Sequence, residues 1–101
     1  MATGEFYIIF IDRDPDVSYD EVKKTIDLAR DWYRITSRYW VVYTTSDAEK
    51  WYRRLNKFVV NSGNLFICRL DITERQGWMS SDFWNWFRDT ERSEDRRRVA
   101  G

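Results

Sequence analysis

Three aspartates alternate at Asp12, Asp14 and Asp16, and two arginines, Arg34 and Arg38, stand among the rings of Tyr33, Tyr39 and Tyr43. These are the side chains whose types and spacing suit chemistry. Alternating aspartates open a calcium-binding loop, but that loop needs Gly at its sixth position and Glu at its twelfth, where this chain has Val17 and Lys23. The pattern therefore argues against calcium. Rings interleaved with guanidinium groups can stack bases and neutralise phosphates on a sheet surface, which makes Tyr33, Arg34, Arg38, Tyr39 and Tyr43 candidate nucleic-acid-binding residues. No RNA-recognition consensus accompanies them. The chain contains no His, so the commonest general base near neutral pH is missing and any catalysis falls to carboxylates, a metal ion, Lys or Tyr. A single cysteine, Cys68, excludes an internal disulfide and leaves no conventional structural zinc site. It reads as a small buried side chain on a core face.

The elements that must position these residues follow from composition and periodicity. With 101 residues and 43% hydrophobic content, the chain is the size of one domain with one core. Seventeen basic and seventeen acidic side chains cancel, so binding to nucleic acid or anionic lipid must rest on a local patch. Six Trp, six Tyr and six Phe exceed what such a core needs, and some are expected to be exposed or shared with a partner. No segment has the apolar length of a membrane span and no secretory signal opens the chain, so no membrane partner is expected and the expected location is cytoplasmic.

Arg38 to Thr44 carries large side chains on both alternating faces, with Trp40, Val42 and Thr44 opposed to Tyr39, Val41 and Tyr43, and reads as the central strand. Glu5 to Asp12 is apolar on both faces and reads as a first, interior strand, which Pro15 ends. Ser18 and Glu21 have capping-box spacing, predicting a helix from about Tyr19 to Arg30 with Val22, Ile26 and Ala29 inward. Trp32 to Ile35 is strand-like, and Thr36-Ser37 predicts a tight hairpin. Ser46 with Glu49 predicts the cap of a second helix that buries Ala48, Trp51, Tyr52, Leu55, Phe58 and Val59 on one face. Leu65 to Ile72 reads as a last strand, with Phe66, Cys68, Leu70 and Ile72 on the core side. Ser80 or Ser81 then caps a short helix in which Phe83, Trp84 and Phe87 form a plug and Trp86 lies on the flank.

The order strand, helix, strand, strand, helix, strand predicts an α+β fold, the ferredoxin-like split βαβ (βαββαβ) sheet with an extra C-terminal helix. Residues 1–90 are expected to form the single domain and 91–101 a disordered charged tail, in which Arg96-Arg97-Arg98 is diluted by acids. Both crossover helices fall on one sheet face. The other face has three claimants: a second subunit, the terminal helix, or a strand of nucleic acid. Self-association is the favoured reading, with Tyr39, Val41, Tyr43, Trp84 and Trp86 as the dimer interface.

Several stretches together resemble the family of small SinR-like proteins, which is distinct from the helix-turn-helix repressor of that name. They are the first strand ending in an acid (Phe6 to Asp12), Trp32 followed by Ser37 and Trp40-Val41-Val42, the helix opened at Ser46, Leu65 to Leu70, Gly77-Trp78-Met79, and Trp84-Asn85-Trp86-Phe87. More distantly the chain looks like VapD and the small nuclease-fold subunit of CRISPR adaptation, ferredoxin-like homodimers associated with RNA cleavage or DNA handling. In those relatives the acid ending the first strand is the proposed metal ligand, and the matching position is Asp12. The resemblance thus implies, as one alternative, a metal-dependent endoribonuclease or endonuclease with Asp12 as its catalytic and metal-binding residue, drawn from both subunits. A carboxylate suits Mg²⁺, which can activate water for phosphodiester cleavage; outside that reading no cofactor is expected. The primary expectation is a homodimeric binding or assembly protein of SinR-like type, with RNA or DNA as a candidate partner and not a required one. A further alternative is an inhibitor or adaptor that captures a protein partner in a phage defence or counter-defence system.

Overall fold

Aromatic and β-branched residues suit a pleated surface buried on both sides, and Glu5–Asp12 forms such a strand, β1, with buried residues on either face. The computed structural model describes residues 4–100, with side chains described through Thr90. After β1 come α1 (Tyr19–Ile26), β2 (Asp31–Arg34), β3 (Tyr39–Thr44), α2 (Ala48–Leu55) with a short 3₁₀ turn at Asn56–Phe58, β4 (Asn64–Leu70) and α3 (Ser81–Ala100). Among the described residues this is an α+β arrangement of three α-helices and one antiparallel sheet of four strands. The segment 91–101, expected as a charged tail, lies outside the residues whose side chains are described.

The sheet order is β2-β3-β1-β4. Because β3 is antiparallel to both β1 and β2, those two run parallel with β3 inserted between them. By the same reasoning β3 and β4 run parallel around β1. The chain crosses from β1 to β2 through α1 and from β3 to β4 through α2, and both helices pack on one face. There Tyr7, Ile9 and Ile11 of β1 and Trp40 and Val42 of β3 meet Val22 and Ile26 of α1 and Trp51 and Leu55 of α2. The Trp51 indole N–H donates to the Thr44 hydroxyl at 3.3 Å, so the bulkiest helix side chain also has its polar atom partnered in the core.

Helix starts are set by side chains that accept the orphan N–H groups of a first turn. Ser18 and Glu21 make the expected reciprocal capping box at α1. At α2 the cap is Asp47, whose carboxylate accepts from Lys50 N–H at 2.9 Å, and not Ser46, whose own N–H is held by Thr44 Oγ1. α1 stops at Ile26, earlier than the predicted Arg30, because the chain turns through Leu28 and Ala29 to reach β2. Tyr52, predicted inward on α2, is exposed.

Two further expectations change. The β2–β3 connection is not a two-residue hairpin but a longer loop, Ile35 to Arg38, closed by the Tyr39 N–H to Thr36 carbonyl bond at 3.4 Å. A tight two-residue turn of the favoured types needs positive φ, and among the described residues neither a non-glycine nor a glycine adopts it. β4 has the opposite parity from the one predicted. Its pairing sets Ile67 opposite Ile9 and Leu65 opposite Ile11, so these aliphatic residues join the helix-covered core. Phe66 and Cys68 therefore point to the second face, where Cys68 is exposed rather than buried.

α3 covers part of that second face. Phe83 and Phe87 pack against Phe6, Val41 and Tyr43, with Tyr33, Leu70, Trp84 and Trp86 around them. Ser80 begins the helix by accepting from Phe83 N–H at 3.3 Å, and the Thr90 hydroxyl reaches the Asp31 carboxylate at 3.4 Å. The buried positions Phe83, Phe87 and Thr90 fall on one helix stripe.

Candidate functional site

The C-terminal end of β1 gathers the groups with chemical potential, and its two nearest aspartates have different fates. Asp14 is buried to 1% exposure. Its carboxylate accepts from the backbone N–H of Ser62 at 2.8 Å and of Asn61 at 3.0 Å, and its own N–H donates to the Phe58 carbonyl at 2.8 Å. The Ser62 N–H, with help from Asn61, Gly63 and the Ser62 hydroxyl and against the opposing cost of burial, holds the Asp14 carboxyl below its ordinary range. Asp14 thus closes the α2–β4 loop onto the end of β1. The same junction requires Gly63, because a Cβ there would run into the Asp12 carbonyl oxygen and the Val59 side chain.

Asp12 stays at the surface. Its carboxylate lies 3.6 Å from Arg38 Nε, with both side chains well exposed, at 41% and 64%. Arg38 is held there by its backbone: its carbonyl accepts from Ile11 N–H at 2.8 Å, and its N–H donates to Thr36 Oγ1 at 3.2 Å. The hairpin apex is thereby tied to the end of β1. Between them is a cleft of about 330 Å³ lined by Ile11, Asp12, Arg13, Asp14, Pro15, Ser37 and Arg38. Arg13 enters it from the following loop, fixed by an Nε–H bond to the Val17 carbonyl at 2.8 Å. For a metal, the cleft offers one accessible carboxylate, and that one already faces a guanidinium. Among the described residues no group of three or more Asp, Glu or Cys side chains gathers to hold a cation.

The five residues read as a nucleic-acid surface are distributed over both faces. Tyr33 and Tyr43 lie beneath α3, where the Tyr33 ring meets Phe83 edge-on at 5.2 Å and Tyr43 packs on Phe6 at 4.9 Å. Arg34 is on the helix-covered side, its guanidinium 4.7 Å from the Tyr19 ring centroid. Only Arg38 and Tyr39 remain together at the open end. Of the residues read as a dimer interface, Val41 and Tyr43 are buried under α3. Trp86 is half-buried against Phe6, Tyr33 and Phe87, so the plug uses it, and Trp84 lies to the side over Gly77.

What the described side chains of α3 leave uncovered is a row across three strands. Phe10 of β1 is flanked by Tyr39 of β3, ring centroids 4.9 Å apart, and by Phe66 of β4 in direct register. Phe66 is 60% exposed and Tyr39 41%. Ile8 and Cys68 form the next rung towards α3. Periodicity missed Phe10 and Phe66 because both alternating sets of β1 are apolar and because in β4 the more apolar set, Phe66, Cys68 and Leu70, is the one that faces away from the helices, while the set carrying Arg69 faces them.

Among the described residues no helix is long and apolar enough to cross a membrane. Comparison of the chain with protein-family models, with curated proteins and with solved structures finds no match.

Proposed function

We propose that this chain is a binding and assembly module of SinR-like type, built on a ferredoxin-like sheet, that pairs with a second copy of itself through the uncovered end of the sheet. The fold reading is supported by the strand order, which is that of two interleaved split βαβ units with both crossover helices on one face. The observation that carries the pairing is the Tyr39-Phe10-Phe66 row. Large rings aligned across three strands make a flat apolar surface that is costly to leave wet, and aromatic residues of this kind are enriched where proteins meet. A two-fold axis over Phe10 would place each copy's row against the other's, a self-complementary arrangement. The interface proposed from the sequence narrows accordingly to Tyr39 with Phe10 and Phe66, while Val41 and Tyr43 serve the chain's own core.

Light scattering across a concentration series tests this. A dimer that dissociates on dilution and is lost in Phe66→Glu with an unchanged far-UV spectrum is the expected result; a monomer at every concentration would refute the pairing. The metal-dependent nuclease is the less supported reading, since Mg²⁺ at Asp12 would have to displace Arg38. Its assay is cleavage of RNA and DNA with Mg²⁺ or Mn²⁺, abolished in Asp12→Ala.

A further inference from the structure

The cleft at the end of β1 has a chemistry that the pairing surface does not use. Two guanidinium groups line it from separate segments: Arg13 from the loop after β1, and Arg38 from the β2–β3 hairpin. Each is restrained by a bond that leaves the two terminal nitrogens of its fork without a protein partner among the described residues. Arg13 is held at Nε by the Val17 carbonyl, and Arg38 is held through its backbone, with its Nε 3.6 Å from Asp12. Ser37 lines the same space and carries a hydroxyl. Guanidinium forks and hydroxyl groups are donors that phosphoryl oxygens take up.

Two carboxylates stand beside them. Asp14 keeps its charge, but its oxygens are engaged by backbone N–H groups of the α2–β4 loop and not by either arginine. Asp12 remains, at 3.6 Å and in solvent, where an ion pair is worth little and an incoming oxyanion can replace it. A metal reading would make Asp12 the essential ligand and Arg38 an obstacle; the donor set favours the reverse.

We propose that this cleft is a phosphate-type oxyanion site in which Arg13, Ser37 and Arg38 donate to the anion and Asp12 is the internal competitor it displaces. The site adjoins the pairing surface, Arg38 standing next to Tyr39 and Asp12 beyond Phe10, but none of its donors belongs to the aromatic row. Free polyphosphate and the phosphates of a nucleic acid share this chemistry, so the test uses both: calorimetric titration with inorganic pyrophosphate, and with a short oligothymidylate carrying or lacking a 5′-phosphate.

Saturable pyrophosphate binding is expected, weakened about tenfold or more in Arg13→Ala and in Arg38→Ala, as the loss of a charge-assisted contact requires. Asp12→Asn is expected to tighten it, and Phe66→Glu to leave it unchanged. Binding of the oligothymidylate alone, with the same dependence on both arginines, would assign the site to nucleic acid phosphates, and preference for the 5′-phosphorylated strand would assign it to a terminal phosphate. No saturable binding of any of these probes to the unaltered protein would overturn the proposal. Weakening by Asp12→Asn comparable to that by the arginine variants would overturn it as well, because it would make Asp12 a ligand and not a competitor. Circular dichroism of each variant separates loss of binding from loss of fold.

Discussion

The two ends of the second sheet face are built from the same kinds of residue and finished in opposite ways. At one end Phe6, Val41 and Tyr43 are closed over by Phe83 and Phe87 of α3, with Trp86 filling the flank. At the other, Phe10, Tyr39 and Phe66 form an equally regular cross-strand row, with Tyr39 and Phe66 left exposed among the described residues. Burial by the chain itself converts aromatic area into stability, whereas uncovered aromatic area is available for association. Composition cannot distinguish these uses. What distinguishes them is where the segment after β4 delivers its helix.

The contrast is sharpest in paired truncations. Phe87→Ala removes a ring packed against Phe6 and Phe83 and is expected to cost about 3–5 kcal/mol, a large part of the stability of a domain this size. Urea denaturation reads it directly. An effect below about 1 kcal/mol would mean that α3 is only loosely seated, since surface substitutions lie in that range. Next in size is Asp14→Asn, at the junction between β1 and the α2–β4 loop. The folded carboxyl titrates below its ordinary value of 3.8, so its contribution is complete above the unfolded pKa and is lost as pH falls through the lower folded value. A plot of urea midpoint against pH is therefore expected to fall more steeply on its acid side in the wild type than in Asp14→Asn, where that carboxylate is gone. An identical acid limb in both proteins would remove Asp14 from the account.

Gly63→Ala is expected to follow, at about 1–3 kcal/mol, because the added methyl group must push the Asp12 carbonyl or Val59 aside. Thermal unfolding checks it, and an unchanged midpoint would show that the loop yields freely. The smallest expected effect on stability is Phe66→Ala, within about 0.5 kcal/mol in the dissociated chain, combined with a clear loss of self-association. If Phe66→Ala instead destabilised the monomer as much as Phe87→Ala does, the two ends would be equivalent and the open row would be core.

Much of this was legible in the sequence, and the failures have a common cause. The alternation in Glu5–Asp12 and Tyr39–Thr44 determines which residues oppose one another, and Ser18 with Glu21 is a local signal that the chain obeys. β4 is the instructive failure: Phe66, Cys68 and Leu70 are the more apolar set, yet pairing with β1 turns Leu65 and Ile67, together with Arg69, towards the helices. At α2 two adjacent residues, Ser46 and Asp47, can each cap, and it is the Asp47 carboxylate that accepts from Lys50 N–H. For the site, Asp12 and Arg38 stood out by type, but their approach depends on a hairpin bonded to a strand distant in sequence, and Arg13 gave no signal at all. Asp14 stood out only as part of the calcium-like alternation, and its structural role gave no local signal because its partners lie 47 and 48 residues away.

The position of β1 has a consequence for how the chain comes together. This strand pairs with β3 and β4 and not with β2, the strand that follows it in sequence. As the chain emerges, its most apolar segment must wait unpaired until Tyr39–Thr44 arrives, and it gains its second partner only with Asn64–Leu70. Each closure spans a long loop, so the entropic cost falls early and the reward comes late, which is expected to slow folding relative to a helical bundle of this size. During that wait α1 has no completed sheet to pack on, and the aromatic face of β1 is open to any other chain nearby. The same placement that makes β1 an interior strand of the finished sheet makes it the later of the two interior strands to be flanked on both sides.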